Sequence, residues 1–169
     1  LNKFDPEMDD TLIAELLDIL PLVETDMTIF YRKLALVDIG VGHLDEVSHE
    51  DLMAPLMDAY YVPEQLTDGY KRRAGGWIRN YIRRVRQGGT PDETRRSRMN
   101  AVNPKYVLRN FLAQLAIDQS EQGDHSLVND LLDLLRRPYD EQPGQEEYAQ
   151  KRPDWARQRP GCSMLSCSS

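Results

Sequence analysis

Apolar residues recur every three or four positions along most of the chain, which is the spacing of helices buried on one side. Thr25 and Ser48 stand where helix caps are expected, and Pro21 stands where the first helix should end. No stretch alternates apolar and polar residues for long enough to predict a strand. The sequence therefore predicts an all-α fold. The first three helical stripes lie in "DDTLIAELLDIL", "TDMTIFYRKLALV" and "SHEDLMAPLMDAYY".

A longer helical stripe runs from Leu66 to Val85 and contains two adjacent glycines, Gly75 and Gly76. Each glycine weakens a helix by about 1 kcal/mol relative to alanine. Glycines inside an otherwise firm pattern therefore indicate a place where another segment of backbone comes close.

The second half of the chain repeats the signals that start and stop helices. Thr90 and then Asn103 are each followed by proline, which is the order typical of a cap and first turn. Gly123 is predicted to end the helix that Asn103 begins, and Asp124 to cap the next one.

The two helices on either side of Gly123 are predicted to pack against each other as a hairpin. Phe111 should then be one of its most buried residues. The facing residues are predicted as Leu108, Phe111, Leu112 and Leu115 on the first helix and Val128, Leu131, Leu132 and Leu135 on the second.

Beyond Pro138 the helical pattern dissolves into a polar stretch rich in proline. The sequence thus predicts a helical region over residues 1–137 and an extended tail over residues 138–169. Because the chain begins at Leu1 rather than at methionine, we expect it to be a piece of a longer protein.

Charge is unevenly distributed along the 169 residues, whose net charge is −7. Up to Tyr70 the only basic residues are Lys3, Arg32 and Lys33, whereas ten lie between Lys71 and Arg98. The basic segment either docks against the acidic first part of the chain or forms a face that binds anions or an acidic partner. The net charge argues against general nucleic-acid binding, and the apolar runs fall short of the roughly 18 residues of a membrane span.

No familiar catalytic or metal-binding pattern is present. The segment "HEDLM" at His49 lacks the second histidine of a zinc-protease helix, and His43 and His125 have no partner at ligand spacing. The two glycines of "IGVGHLD" lack both the third glycine and the preceding strand of a dinucleotide-binding loop. We therefore assign no catalytic, cofactor-binding or metal-binding residue in this chain.

Both cysteines, Cys162 and Cys167, stand in the last eight residues, in "GCSMLSCSS". Their spacing matches neither a thioredoxin-like redox motif nor a zinc knuckle. The tail offers little to bury, so from about Gly161 onward it is expected to be mobile. A thiolate there could exchange with a disulfide, or the two cysteines could pair with each other or stay idle.

Several stretches resemble the selenoprotein O family, also called YdiU. The most distinctive are "NPKYVLRN" and the terminal "SCSS", and the resemblance extends over essentially the whole chain. It is carried by "DMTIFYRKL", "GGWIRNYIRRV", "RSRMNAVNP", "NPKYVLRNFLAQLAI", "LLRRPYDEQP", "YAQKRPDWA" and "SCSS".

The resemblance implies a protein-kinase-like enzyme of which this chain is the C-terminal third. Such an enzyme binds ATP with Mg²⁺ or Mn²⁺ and transfers AMP to Ser, Thr or Tyr hydroxyls of other proteins. Its nucleotide and metal ligands lie upstream, so we expect the fragment alone to be inactive and to pack on its own kinase-like domain. Bacterial members are expected in the cytoplasm and eukaryotic ones in mitochondria.

The resemblance also bears on the tail, since several eukaryotic members have selenocysteine at the position of Cys167. It implies that Cys167 is a redox element that forms a disulfide near the active site, with Cys162 a second possible sulfur. The alternative function, from the residues alone, is a self-contained helical module that binds an acidic partner through its arginine-rich helix.

Overall fold

A computed structural model describes residues 5–162 of the chain, and that part is all-α, as predicted. Short 3₁₀ turns join or follow the longer helices, among them Leu20–Leu22, Ala54–Ala59 and Asp154–Arg157. The α-helices of the described part are α1 (Pro6–Ile19), α2 (Met27–Leu34), α3 (His49–Met53), α4 (Asp68–Gln87), α5 (Asp92–Val102), α6 (Asn110–Glu121) and α7 (Ser126–Leu135).

The chain forms two compact units, which divide after Asn100. The division predicted from the sequence, a helical region over residues 1–137 followed by a tail, is of another kind and stays a prediction. In the structure, residues 138–162 lie in the second unit, where Ala156 and Cys162 contribute to the core.

Of the helix caps predicted from the sequence, Ser48 is confirmed, whereas the cap of α2 is displaced by one residue and His125 rather than Asp124 directly precedes α7. Ser48 accepts a hydrogen bond from the Asp51 amide at the start of α3, as predicted. For α2 the predicted cap, Thr25, is off by one residue. The buried carboxylate of Asp26 caps this helix by accepting from the Ile29 amide at 3.0 Å, and the Thr25 hydroxyl donates to the Val23 carbonyl.

The core of the first unit forms where α4 packs against α1 and α3. Trp77 of α4 lies 5 % exposed, and its indole N–H donates to the Leu12 carbonyl of α1 at 2.8 Å. The most deeply buried large side chains of this core are Val37, Met53, Leu56, Tyr60, Ile78 and Ile82.

The predicted close approach occurs at Gly75 and not at Gly76. A Cβ atom at Gly75 would lie 2.6 Å from the His49 Cβ and 2.8 Å from the His49 Cα, whereas a Cβ at Gly76 would meet nothing within 4 Å. The absence of a side chain at Gly75 therefore lets α3 pack directly on α4.

We expect Gly75→Ala and Gly76→Ala to change stability in opposite directions. The first forces the His49 backbone away and should cost about 1–3 kcal/mol. The second improves helix propensity and should gain up to about 1 kcal/mol. Denaturant unfolding followed by Trp77 fluorescence, in a Trp155→Phe background, measures both. Equal effects of the two substitutions would contradict the close packing at His49.

After the last two residues of α5, the second unit continues with an extended segment rather than with a helix. The sequence predicted that α6 starts at Asn103 and Pro104, but the helix starts at Asn110. The amides of Lys105 and Tyr106 instead donate to the Pro138 carbonyl at 2.8 and 3.1 Å. Because Tyr106 is 1 % exposed, its burial fixes the extended segment in the core.

The α6–α7 hairpin forms, but its inward face is rotated from the predicted one. Phe111, Leu112 and Leu131 are buried, as expected. Leu134 is also buried, although it was not predicted to face inward. The predicted core residues that are in fact exposed are Leu108, Val128 and Leu132.

Candidate functional sites: arginine helices, Cys162 and an apolar groove

The basic residues of α4 pair with acidic residues of the first 70 positions. Arg84 makes a double contact with Asp9, with Nε and Nη2 lying 2.6 and 2.8 Å from its carboxylate oxygens. The Arg84 guanidinium holds the pKa of the Asp9 carboxyl below its usual value. Further ion pairs join Lys71 to Glu50, Arg73 to Asp18 and Arg83 to Asp45. These contacts confirm that the basic helix docks against the acidic part of the chain.

Two other α4 arginines bind backbone carbonyls of the irregular segment between α2 and α3. Arg79 donates to the Leu44 and Val47 carbonyls at 3.2 and 2.7 Å. Arg86 donates to the Ile39 carbonyl at 2.6 Å and also to Val41. The guanidinium groups thus satisfy carbonyls of a segment that forms no helix or strand.

Arg95 of α5 also binds backbone carbonyls, and it is buried, with 7 % of its surface exposed. Its guanidinium contacts the carbonyls that follow the last turn of α2: Nη2 lies 2.8 Å from the Ala35 oxygen and 3.1 Å from the Val37 oxygen. It also donates to the Asp92 carboxylate at 2.8 Å and to the Tyr81 hydroxyl at 2.9 Å. These contacts give the buried charge a counter-ion and use most of its donors.

Arg95 ties three elements together, since its contacts lie on α4, on α5 and at the end of α2. The carbonyls at the end of a helix have no amide partner within it and carry partial negative charge. A buried cation there replaces the missing donors. Burial raises the pKa of the neighbouring Tyr81 hydroxyl, so this group is a neutral partner of the guanidinium.

We expect Arg95→Lys to destabilise the first unit by about 3–5 kcal/mol, because an ammonium cannot reach the same acceptors and leaves buried groups unpaired. Arg96→Lys is the matched control. Arg96 pairs with the same Asp92 at 2.8 Å but is 41 % exposed, so its replacement should cost below about 1 kcal/mol. Unfolding followed by Trp77 fluorescence compares them. Similar costs for the two variants would show that Arg95 does not hold these elements together.

The three histidines lie on separate segments of the chain, in a loop or at the start of a helix. His49 packs on Gly75, with its ring Nε2 3.3 Å from Arg79 Nη1. His43 is 87 % exposed and lies 4.0 Å from Glu46. His125 precedes α7 and is exposed. Among residues 5–162, no three His, Cys, Asp or Glu side chains form a group that could hold a metal ion.

Cys162 is buried in the core of the second unit, with 4 % of its surface exposed. The chain leading to it is anchored, since Arg159 pairs with Asp118 of α6 and stacks over Trp155 at 5.8 Å. The expectation of a mobile tail from Gly161 onward therefore does not describe Cys162. Cys167 lies outside the described residues.

An open apolar groove with a volume of about 570 Å³ runs between α6 and α7. We call it the α6–α7 groove. The sequence did not predict it, because three residues of its walls that are exposed, Leu108, Val128 and Leu132, were assigned to the core. Its lining residues are Leu108, Ala113, Ala116, Ile117, Ser120, Glu121, Val128, Leu131, Leu132 and Leu135.

No family model matches the chain, but curated proteins align with it along most or all of its length. It is 55 % identical to the protein nucleotidyltransferase YdiU of Rhodopirellula baltica, an alignment that covers 100 % of this chain and 32 % of that protein. For the YdiU proteins of Aromatoleum aromaticum and Nitrosospira multiformis, identity is 50 % and 42 %, over 95 % and 100 % of this chain. The chain belongs to the YdiU family. It spans about a third of the length of these relatives and corresponds to their C-terminal third.

The YdiU assignment confirms the family that the sequence motifs indicated. One of the quoted stretches, "GGWIRNYIRRV", contains residues that the structure shows to be structural, namely Gly75, Arg79 and Arg84. Within residues 5–162, no helix is both long and apolar enough to cross a membrane.

Proposed function

We propose that this chain is the helical C-terminal part of an enzyme that transfers nucleotides to proteins. The observation that carries the proposal is the identity of 42–55 % to proteins named protein nucleotidyltransferase YdiU, over 100 % of the chain in two of the relatives. Identity of that level over a whole segment supports a common role for that segment in the longer proteins.

In its finer form, the proposal is that the full-length enzyme binds ATP with Mg²⁺ or Mn²⁺ and transfers AMP to Ser, Thr or Tyr hydroxyls. Attack of the hydroxyl oxygen on the α-phosphorus forms the phosphodiester, and pyrophosphate leaves. The family resemblance supports this chemistry and a kinase-like domain upstream of Leu1. This chain would act as the helical support of that domain.

The contacts of the arginine helices do not favour the alternative of a module that binds an acidic partner. Arg79, Arg84 and Arg86 are all engaged by carbonyls or carboxylates of the first unit. An outside acidic partner would have to compete with contacts that are already formed.

We expect the full-length protein to incorporate label from ATP labelled at the α-phosphate into protein, and residues 1–169 to incorporate none. ATP labelled at the γ-phosphate is the matched control and should give no incorporation, because the γ-phosphate leaves in pyrophosphate. Chelation of the divalent metal should abolish the signal. Incorporation from γ-labelled ATP would show phosphate transfer instead, and labelling by the fragment would place the catalytic groups within it.

We further propose that Cys167, rather than Cys162, is the redox-sensitive sulfur of the tail. The burial of Cys162 supports this choice, because thiol–disulfide exchange needs an accessible thiolate. A disulfide from Cys167 to the kinase-like region would restrict the nucleotide site. Two electrons and two protons would pass to an oxidant of the disulfide class, such as oxidised glutathione.

Oxidised glutathione should therefore lower the transfer activity of the full-length enzyme, and dithiothreitol should restore it. Cys167→Ser should abolish this response, whereas Cys162→Ser should keep it. Activity assays in both redox states, with a mass-spectrometric disulfide map, test the assignment. A response that persists in Cys167→Ser, or a map with only a Cys162–Cys167 bridge, would refute it.

A further inference from the structure

The α6–α7 groove exposes large aliphatic side chains that a folded protein ordinarily covers. Ile117 of α6 is 50 % exposed, and on the facing helix Val128 and Leu132 are 44 % and 53 % exposed. Leu108, just before α6, is 56 % exposed. These four residues line one continuous cavity rather than lying scattered over the surface. Contiguous apolar surface of this kind marks an interaction site.

The arrangement of α7 shows that the groove is a second apolar face and not a loosely packed core. Leu131 and Leu134 are both 4 % exposed and complete the core of the second unit. Val128 and Leu132 lie on the adjoining side of the same helix, where solvent would favour polar residues. A helix that is apolar on two sides is typical of one that is covered on both.

We propose that the α6–α7 groove is the surface on which the second unit binds the preceding part of the same full-length chain. The relatives are about three times as long as this chain, and the alignments that cover 100 % of it include both walls of the groove. About two thirds of such a protein lies N-terminal to the segment described, so an intramolecular partner of sufficient size exists.

The chemistry of the groove defines what this partner presents. Its walls are aliphatic, and its polar lining residues are Ser120 and Glu121 of α6. The occupant is therefore an apolar side-chain cluster of the preceding region, such as one face of a helix, and not a phosphate or an acidic peptide. Burial of the four exposed aliphatic residues would remove apolar surface from water and thereby stabilise the contact.

This inference rests on the proposed function only in taking the preceding region to be the kinase-like domain. The contact itself requires only a longer chain. The groove contact is therefore tested by the accessibility of its residues, and the proposed function by nucleotide transfer. If the groove is covered but no AMP is transferred, the proposed function is refuted and this inference stands.

The test measures cysteine reactivity in purified full-length protein. Leu132→Cys places a thiol in the groove, and Asp133→Cys is the matched control on the next residue, whose side chain is 73 % exposed on the other side of α7. Ile117→Cys reports on the facing wall. Alkylation by iodoacetamide, followed for each site by peptide mass spectrometry, gives separate rates that do not depend on the native cysteines.

We expect the Leu132→Cys and Ile117→Cys thiols to react at least about tenfold more slowly than the Asp133→Cys thiol, because reaction then requires local opening of the contact. Rates within about threefold of the control would overturn the proposal, since the groove would be open in the complete protein. Protection that disappears on dilution, with a dimer mass by analytical ultracentrifugation, would also overturn it by assigning the groove to a second copy.

Discussion

The first unit depends on the burial of one guanidinium group, that of Arg95. Helix α2 ends at Leu34, and the carbonyls that follow it turn inward, where water cannot satisfy them. Arg95 reaches these oxygens from α5 and is in turn neutralised by Asp92. Neither the charge nor the carbonyls could be buried alone, because each would lose its hydrogen bonds to water without replacement. Their mutual satisfaction fixes where α2 ends and where α5 lies.

The same principle explains the segregation of charge along the sequence. Residues 36–47 form no helix or strand, so their carbonyls need donors from elsewhere, and α4 supplies Arg79 and Arg86. The carboxylates of the first part of the chain take up other basic residues of α4, as in the pair of Arg84 with Asp9. A basic stretch that suggests an anion-binding surface is thus used largely to organise acidic and irregular segments of its own unit.

The sequence predicted several features of this fold that depend on neighbouring residues, although it misplaced the cap of α2 by one residue, and it missed those that depend on distant residues. The Ser48 cap and the glycine contact in α4 follow from local signals. The start of α6 could not be predicted, because the carbonyl that holds Lys105 and Tyr106 extended belongs to Pro138. The role of Arg95 was equally hidden, since its acceptors lie about 60 residues away. The YdiU family was recognised from motifs, which need no knowledge of contacts.

The rotation of α7 shows why the core alone does not account for its sequence. Val128, Leu131, Leu132 and Leu135 lie at helical spacing and fit a single buried stripe, which is the stripe that the sequence predicted. Burial of Leu134 instead turns Leu132 outward, so the helix carries more apolar surface than its own unit can cover. Selection for stability of an isolated unit would place a polar residue at Leu132. An apolar residue there is accounted for when the helix has a second contact outside its own unit, as we propose for the α6–α7 groove.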